Sequence, residues 1–407
     1  MRMRFAPARA RGTAPAPASK SMSHRLLIAA GMAPGKSVIT GMGENEDVLA
    51  TLDCLRALGC EATLERDTAT VVGRDPKIMT PGILPCRECG STLRFFLPIT
   101  LLSPGETTFT GSKRLVERPL DVYEELFQKQ NITMTRRDGK IFLSGTLKGG
   151  EITLRGDVSS QFISGLLFAL PTLPEGGTLH LLPPVESRSY IDLTLSALHD
   201  FGISADWTDE TTLYIPGNQT YQPRSLRVEG DWSNAAFLHA FSAIGGEVEV
   251  TNLRPDSLQG DRVCLRHLKA LQQGFAEIDL ANCPDLGPVL MAVAAMKHGA
   301  HFTNTRRLRI KECDRAEAME AELQKFGIRV TVTDNEVTVH PDRLQAPTIP
   351  VDGHNDHRIV MAMSLPLSVT GGAVDGAEAV RKSYPEYFSV LRSISLEVEE
   401  YGMESQS

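Results

Sequence analysis

The chain lacks any apolar run long enough to span a bilayer, so a membrane role through a helix is not expected. It has no positive excess either. Forty-two Lys and Arg face fifty Asp and Glu, a formal net charge of −8, which argues against nucleic acid or an acidic membrane surface as partner. Zinc is not expected, because Cys86-Arg87-Glu88-Cys89 has no second Cys or His pair to complete a tetrahedral set. A nucleotide loop is missing too: Gly31-Met32-Ala33-Pro34-Gly35-Lys36-Ser37 has three residues between its glycines where four are needed, and follows a helical segment instead of a strand. The first 25 residues contain no acid and several arginines. That composition imitates a targeting peptide, but a removable leader would have to be cut almost at Lys20, so none is expected. Seven scattered cysteines fit a reducing compartment better than a disulfide framework, and the cytoplasm is the expected location.

What remains is ordinary globular composition, 407 residues with 42% hydrophobic and 23% charged, enough for two or more domains. Seven polar islands punctuate it: Lys20–Arg25, Gly90–Arg94, Arg118-Pro119, Asp157–Gln161, Ile310–Arg315, Asp356-His357-Arg358 and Arg381-Lys382. Each sets cationic or hydroxyl groups at an expected helix start or loop, where unpaired backbone N–H groups hold oxyanions. Islands converging from distant parts of the chain suit a substrate with several phosphates or carboxylates.

Beneath the islands one unit recurs: an amphipathic helix, a glycine or turn, and an alternating strand. The joins are Leu58-Gly59-Cys60, Gln130-Asn131, Phe201-Gly202-Ile203, Gln273-Gly274-Phe275, Phe326-Gly327-Ile328 and Ser393-Ile394. Four of the six units are expected to turn back into a second strand. A glycine fits where the helix ends in a left-handed residue. Six units of about 70 residues are too long for a solenoid, and two lobes of three are expected, since one core rarely exceeds roughly 250–300 residues. The expected break lies near Gln222–Ser225.

The motifs resemble, in order and over essentially the whole length, the EPSP synthase (enolpyruvyl transferase) family. Ser19-Lys20-Ser21-Met22-Ser23-His24-Arg25 is similar to its S-K-S-x-S-x-R signature, and Gly90-Ser91-Thr92-Leu93-Arg94 to its G-[ST]-T-x-R loop. Arg118-Pro119, Ser159-Ser160-Gln161, Ser187 with Tyr190, Pro284-Asp285, Lys311-Glu312 with Asp314-Arg315, Asn355-Asp356-His357-Arg358 and Lys382-Ser383-Tyr384-Pro385 follow in the family's order. The resemblance implies an α/β (α+β) fold of two lobes, each of three βαβαββ repeats, with two hinge crossings. Lobe 1 is expected at residues 1–17 plus 229–407 and lobe 2 at 18–228. The implied reaction moves the enolpyruvyl group of phosphoenolpyruvate onto the 5-hydroxyl of shikimate 3-phosphate and releases phosphate, without metal or organic cofactor. A monomer with no partner beyond these substrates is expected, in a family that is the target of glyphosate.

Two substrates with a carboxylate and a phosphate each bring about six negative charges together. Two unit charges 4 Å apart repel by roughly 4 kcal/mol at an effective dielectric of 20, so cations must be prearranged. The resemblance assigns Lys20, Gly90, Arg118, Gln161, Arg315, His357, Arg358 and Lys382 to phosphoenolpyruvate. For shikimate 3-phosphate the candidates are Lys20, Ser21, Arg25, Ser159, Ser160, Gln161, Ser187, Tyr190, Asp285 and Lys311. Ser159 and Ser160 precede an apolar helix expected over 162–170, at the cap where hydroxyls and N–H groups favour phosphate. Ser21 and Arg25, four apart, share a helix face. Asp285 is the candidate base for the 5-hydroxyl and Glu312 the group that protonates C3, with Lys311 and Arg315 expected to depress the Glu312 pKa. Lys20 and His357 either share the proton work or only hold charge.

Three positions depart from the commonest family pattern. Glu88 and Arg307 each stand where many relatives carry Asn, and His24 replaces Asn beside Arg25. Two other readings stand beside this one: the sister transfer to UDP-N-acetylglucosamine, and a binding protein that has lost its chemistry.

Overall fold

In the computed structural model, which describes residues 1–401, the chain forms two units: Ala18–Glu229, and Met1–Pro17 together with the chain from Gly230 onward. Residues 402–407, assigned by the sequence reading to lobe 1, lie outside the described residues. Backbone bonds mark the crossings: Ser19 N–H donates to Glu229 O at 2.8 Å, and Asp231 N–H to Pro17 O at 2.8 Å.

The 18–229 unit carries three four-stranded sheets of one design, an adjacent parallel pair followed by two antiparallel strands. Their orders are Ser225–Arg227, Gly35–Thr40, Thr68–Gly73, Glu61–Glu65; then Ile83–Pro85, Glu106–Thr110, Lys140–Ser144, Thr133–Arg137; then Gly150–Arg155, Gly177–Leu182, Thr212–Ile215, Asp206–Trp207. Helices α1 (Lys20–Gly31), α2 (Glu46–Ala57), α3 (Gly90–Thr100), α4 (Lys113–Glu117), α5 (Asp121–Lys129), α6 (Ser160–Ala169) and α7 (Arg188–Asp200) pack with these sheets. The other unit repeats the design twice, in Ala276–Asp279, Ala300–Thr303, Glu336–Val339, Val330–Val332, and in Val351–Asp352, Gly372–Asp375, Arg2–Phe5, Val398–Glu400. In the second of these the N-terminal strand supplies the antiparallel partner that a hairpin supplies elsewhere. The helices of this unit are α8 (Trp232–Ala243), α9 (Cys264–Gln273), α10 (Gly287–Met296), α11 (Arg315–Gln324), α12 (His357–Thr370) and α13 (Tyr387–Ser393).

The join at Gly274 is not left-handed, unlike the expected pattern. The fourth unit has only a two-stranded sheet, Glu247–Thr251 parallel to Arg11–Pro15. The strand after α9 instead opens the next sheet, parallel to Ala300–Thr303. The cause is local: Gly274 has φ 170°, extended backbone, so the chain runs on instead of doubling back. Gly59, Gly202 and Gly327 do take φ of 90°, 79° and 79°, and Asn131 takes 57° at the corresponding join. Each of these four is followed by a hairpin.

Each unit has its own apolar core, and no described helix is long and apolar enough to cross a membrane. Helix α10 is apolar on every face and buried from Gly287 to Ala295, and α3, α6 and α12 are nearly as buried. A helix apolar all round must be covered on all sides, which leaves its polar ends as the places for chemistry.

Candidate active site

In the 18–229 unit the islands sit at the N-terminal ends of α1, α3, α6 and α7, and hydrogen bonds tie the ends together. Ser19 caps α1 by accepting from Met22 N–H, which puts Lys20 in its first turn. The Lys20 ammonium lies 2.8 Å from Asp47 Oδ2 on α2. Arg25, one turn further, is 2% exposed. Its Nη1 donates to Ser21 O (2.7 Å), its Nη2 to Tyr190 O on α7 (2.9 Å) and its Nε to Thr194 Oγ1 (2.8 Å). Burial brings its pKa down to about 10, so it stays charged at neutral pH. Three of its five N–H donors are thus used within the protein.

Helix α3 begins at Gly90, where a Cβ would stand 2.6 Å from Arg118 Nη1. Glycine there lets a buried guanidinium approach the helix N-terminus. From α6, Gln161 reaches back: its Nε2 donates to Ser91 Oγ (2.9 Å), and its Oε1 accepts from Arg94 Nη1 (2.7 Å). Arg94 also donates to Pro119 O and lies over the Phe162 ring. Ser159 caps α6, which starts at Ser160, two residues before the expected start, and its Oγ accepts from Gln161 N–H. Ser187, left-handed at φ 54°, precedes α7 at its N-cap position and is buried. Ser21, Arg25 and Tyr190 are therefore linked, Gly90 lies against Arg118 and Gln161 is bonded to Ser91, while Lys20 pairs with Asp47 and Ser159, Ser160 and Ser187 stand at neighbouring helix starts.

The other unit assembles its islands around one guanidinium. Arg315, first residue of α11 and 1% exposed, donates from Nη1 to Asp285 Oδ1 (2.9 Å), from Nη2 to Glu312 Oε2 (2.8 Å) and from Nε to Asp356 Oδ2 (2.7 Å). Lys311 Nζ is 3.0 Å and Arg358 Nη2 3.3 Å from Asp285. Asp356 caps α12 by accepting from Arg358 N–H. Buried His357 follows, its Nδ1 3.8 Å from Asp356 Oδ1. Lys382 Nζ donates to Asn355 O at 2.5 Å.

Burial works to raise the Asp285 pKa, but Arg358, Lys311 and Arg315 outweigh it and hold the carboxyl well below the usual range. Burial lowers the Lys311 pKa against the pull of Asp285. Arg315, despite burial, is held firmly charged by Asp356, Glu312 and Asp285. Arg315 lies against Glu312 as the sequence reading expects. Lys311 makes its close ion pair with Asp285, and the Glu312 charge acts on it as well.

Asp47, Ser91, Arg94, Thr194 and Asp356 belong to this architecture and received no role from the sequence. Asp47 reads as a first-turn helix acid and Asp356 as a cap. Arg94 had a signal, since it closes the glycine-loop motif. Of the departures, Arg307 is buried and donates to Ala281 O. Beside Glu88, the neighbouring Arg87 pairs with Asp53 (2.7 Å) and Glu46.

The family model for EPSP synthase (3-phosphoshikimate 1-carboxyvinyltransferase) matches residues 6–391. A 3-phosphoshikimate 1-carboxyvinyltransferase of Clostridium kluyveri is 37% identical over 419 residues, 98% of each chain. One of Clostridioides difficile is 34% identical over 432 residues, 98% of this chain and 99% of its own. An EPSP synthase structure from Acinetobacter baumannii aligns with TM-score 0.78 over 99% of this chain and all of its own, at 21% identity, a likeness of fold.

Proposed function

The chain belongs to the EPSP synthase family, whose reaction is transfer of the enolpyruvyl group of phosphoenolpyruvate to shikimate 3-phosphate in aromatic biosynthesis, and we propose that its two clusters divide that work. The observation that carries this is Arg315, one buried guanidinium holding three carboxylates from separate elements. Breaking so buried a network costs about 3–5 kcal/mol, and such clusters of mutually perturbed groups mark sites of proton transfer.

The 18–229 cluster supplies the anion seats. Arg25 and Tyr190 take the shikimate carboxylate, helped by Ser21. Ser159, Ser160 and Ser187 take its phosphate at helix N-termini. Gly90, Arg118 and Gln161 receive phosphoenolpyruvate, and Lys20 serves both ligands. The Arg315 cluster moves the protons. Asp285 accepts the 5-hydroxyl proton as that oxygen attacks C2, and Glu312, which takes a proton from solvent when the incoming anions raise its pKa against the pull of Arg315, delivers it to C3. The tetrahedral intermediate then returns the C3 proton to Glu312 as phosphate leaves. Asp285 is a weak base while three cations hold it. Substrate anions drawn to Lys311, Arg315, Arg358, His357 and Lys382 compete with Asp285 for that charge and raise its basicity when both ligands are present. The protein acts as a monomer in the cytoplasm.

The test is phosphate release with phosphoenolpyruvate and either shikimate 3-phosphate or UDP-N-acetylglucosamine. Release is expected only with shikimate 3-phosphate. Release with the nucleotide sugar would assign the sister reaction, and binding of both shikimate 3-phosphate and phosphoenolpyruvate without release would mark a binding protein.

A further inference from the structure

Beside Lys20 lies a cluster to which the proposed transfer gives no chemical step. His24, Asp47 and Cys89 come from α1, α2 and the cap of α3, all three are buried, and one donor atom of each lies within 4.8 Å of the others. His24 Nε2 stands 3.7 Å from Cys89 Sγ. In a tetrahedral zinc site, N and S donors at about 2.0–2.1 and 2.3 Å from the metal lie about 3.6 Å apart. The far side of the imidazole is fixed as an outer shell fixes a ligand. His24 Nδ1 lies 2.7 Å from Thr51 Oγ1, which is 2.8 Å from Thr92 Oγ1 and 3.5 Å from Asp47 O. With Nδ1–H donating to Thr51, the Nε2 lone pair faces Cys89.

We propose that His24, Asp47 and Cys89 form a site for a thiophilic divalent cation of the zinc type, and that occupancy is inhibitory. Imidazole, carboxylate and thiolate suit such an ion, whose fourth position takes a water. On binding, the Cys89 S–H bond breaks, the proton goes to solvent, a metal–sulfur bond forms and no electron moves. Lys20 Nζ sits on the same carboxylate, 2.8 Å from Asp47 Oδ2, so a dication held there repels the ammonium and takes Lys20 from its substrates. This coupling rests on the role given to Lys20 above, whereas the metal site does not.

The test uses the full-length protein and Co²⁺ as probe, reading the near-ultraviolet thiolate-to-cobalt absorption, and separately Zn²⁺ inhibition of phosphate release with reversal by chelator. About one Co²⁺ per chain with that band is expected, the band absent in Cys89→Ser and affinity at least about tenfold weaker in His24→Asn, which should keep its metal-free turnover. Thr51→Val should weaken binding by roughly 10–100-fold through the outer shell. No band in the wild type, or a band that survives Cys89→Ser, overturns the site. Zn²⁺ binding that leaves turnover unchanged overturns the coupling to Lys20.

Discussion

The two clusters hold their arginines in opposite ways. In the 18–229 unit Arg25 and Arg94 lean on neutral oxygens: the carbonyls of Ser21, Tyr190 and Pro119, the Thr194 hydroxyl and the Gln161 amide. In the other unit Arg315 is clasped by three carboxylates, and Lys311 and Arg358 share one of them. Neutral acceptors fix a guanidinium in place without spending its charge, which stays available to an incoming anion. Carboxylates spend that charge and gain perturbed, mutually coupled acids. One arrangement suits holding and the other suits proton transfer.

The contrast breaks first at Glu312. Glu312→Gln keeps the hydrogen bond to Arg315 but cannot give a proton, so turnover should fall by roughly 10²–10⁴-fold with both substrates still bound, as titration calorimetry would show. Loss of binding with intact turnover per bound complex would move Glu312 to the holding side. Arg315→Met should cost about 3–5 kcal/mol of stability in urea unfolding, because three acids lose their common partner.

A smaller effect is expected at Gly90→Ala. The new Cβ lies where only the flexible end of Arg118 must yield, so the fold should be unchanged while the KM for phosphoenolpyruvate rises about tenfold, the worth of one weakened charge-assisted bond. Ser159→Ala should cost about 1 kcal/mol as a lost cap and weaken shikimate 3-phosphate more than phosphoenolpyruvate.

The Asp285 ion pairs sharpen the comparison through pH. Its folded pKa is depressed, so its contribution to stability is complete above the unfolded value near about 3.9 and is lost as pH falls through the lower folded value. Asp285→Asn should flatten the stability profile below about pH 4 and leave the slope above about pH 5 unchanged.

Much of this was readable in the chain. Helix, left-handed join and alternating strand announce themselves at Gly59, Gly202 and Gly327, because only residues tolerant of positive φ fit there. At Gly274 the same letter serves extended backbone, and alternation does not say which sheet a strand joins. The islands show which residues carry charge, and the caps at Ser19, Ser159 and Asp356 are local signals. Pairings across long sequence separations are not local. Nothing near Asp47 points to Lys20, and nothing in the spacing of Lys311 from Glu312 shows that the lysine turns to Asp285.

The division of labour is tested most directly by running the reaction in D₂O and following deuterium in the C3 methylene of phosphoenolpyruvate and product, for the wild type and Glu312→Gln. The wild type should place deuterium at C3, and the variant should bind both substrates and incorporate almost none. Incorporation by the variant at the wild-type rate would contradict the account.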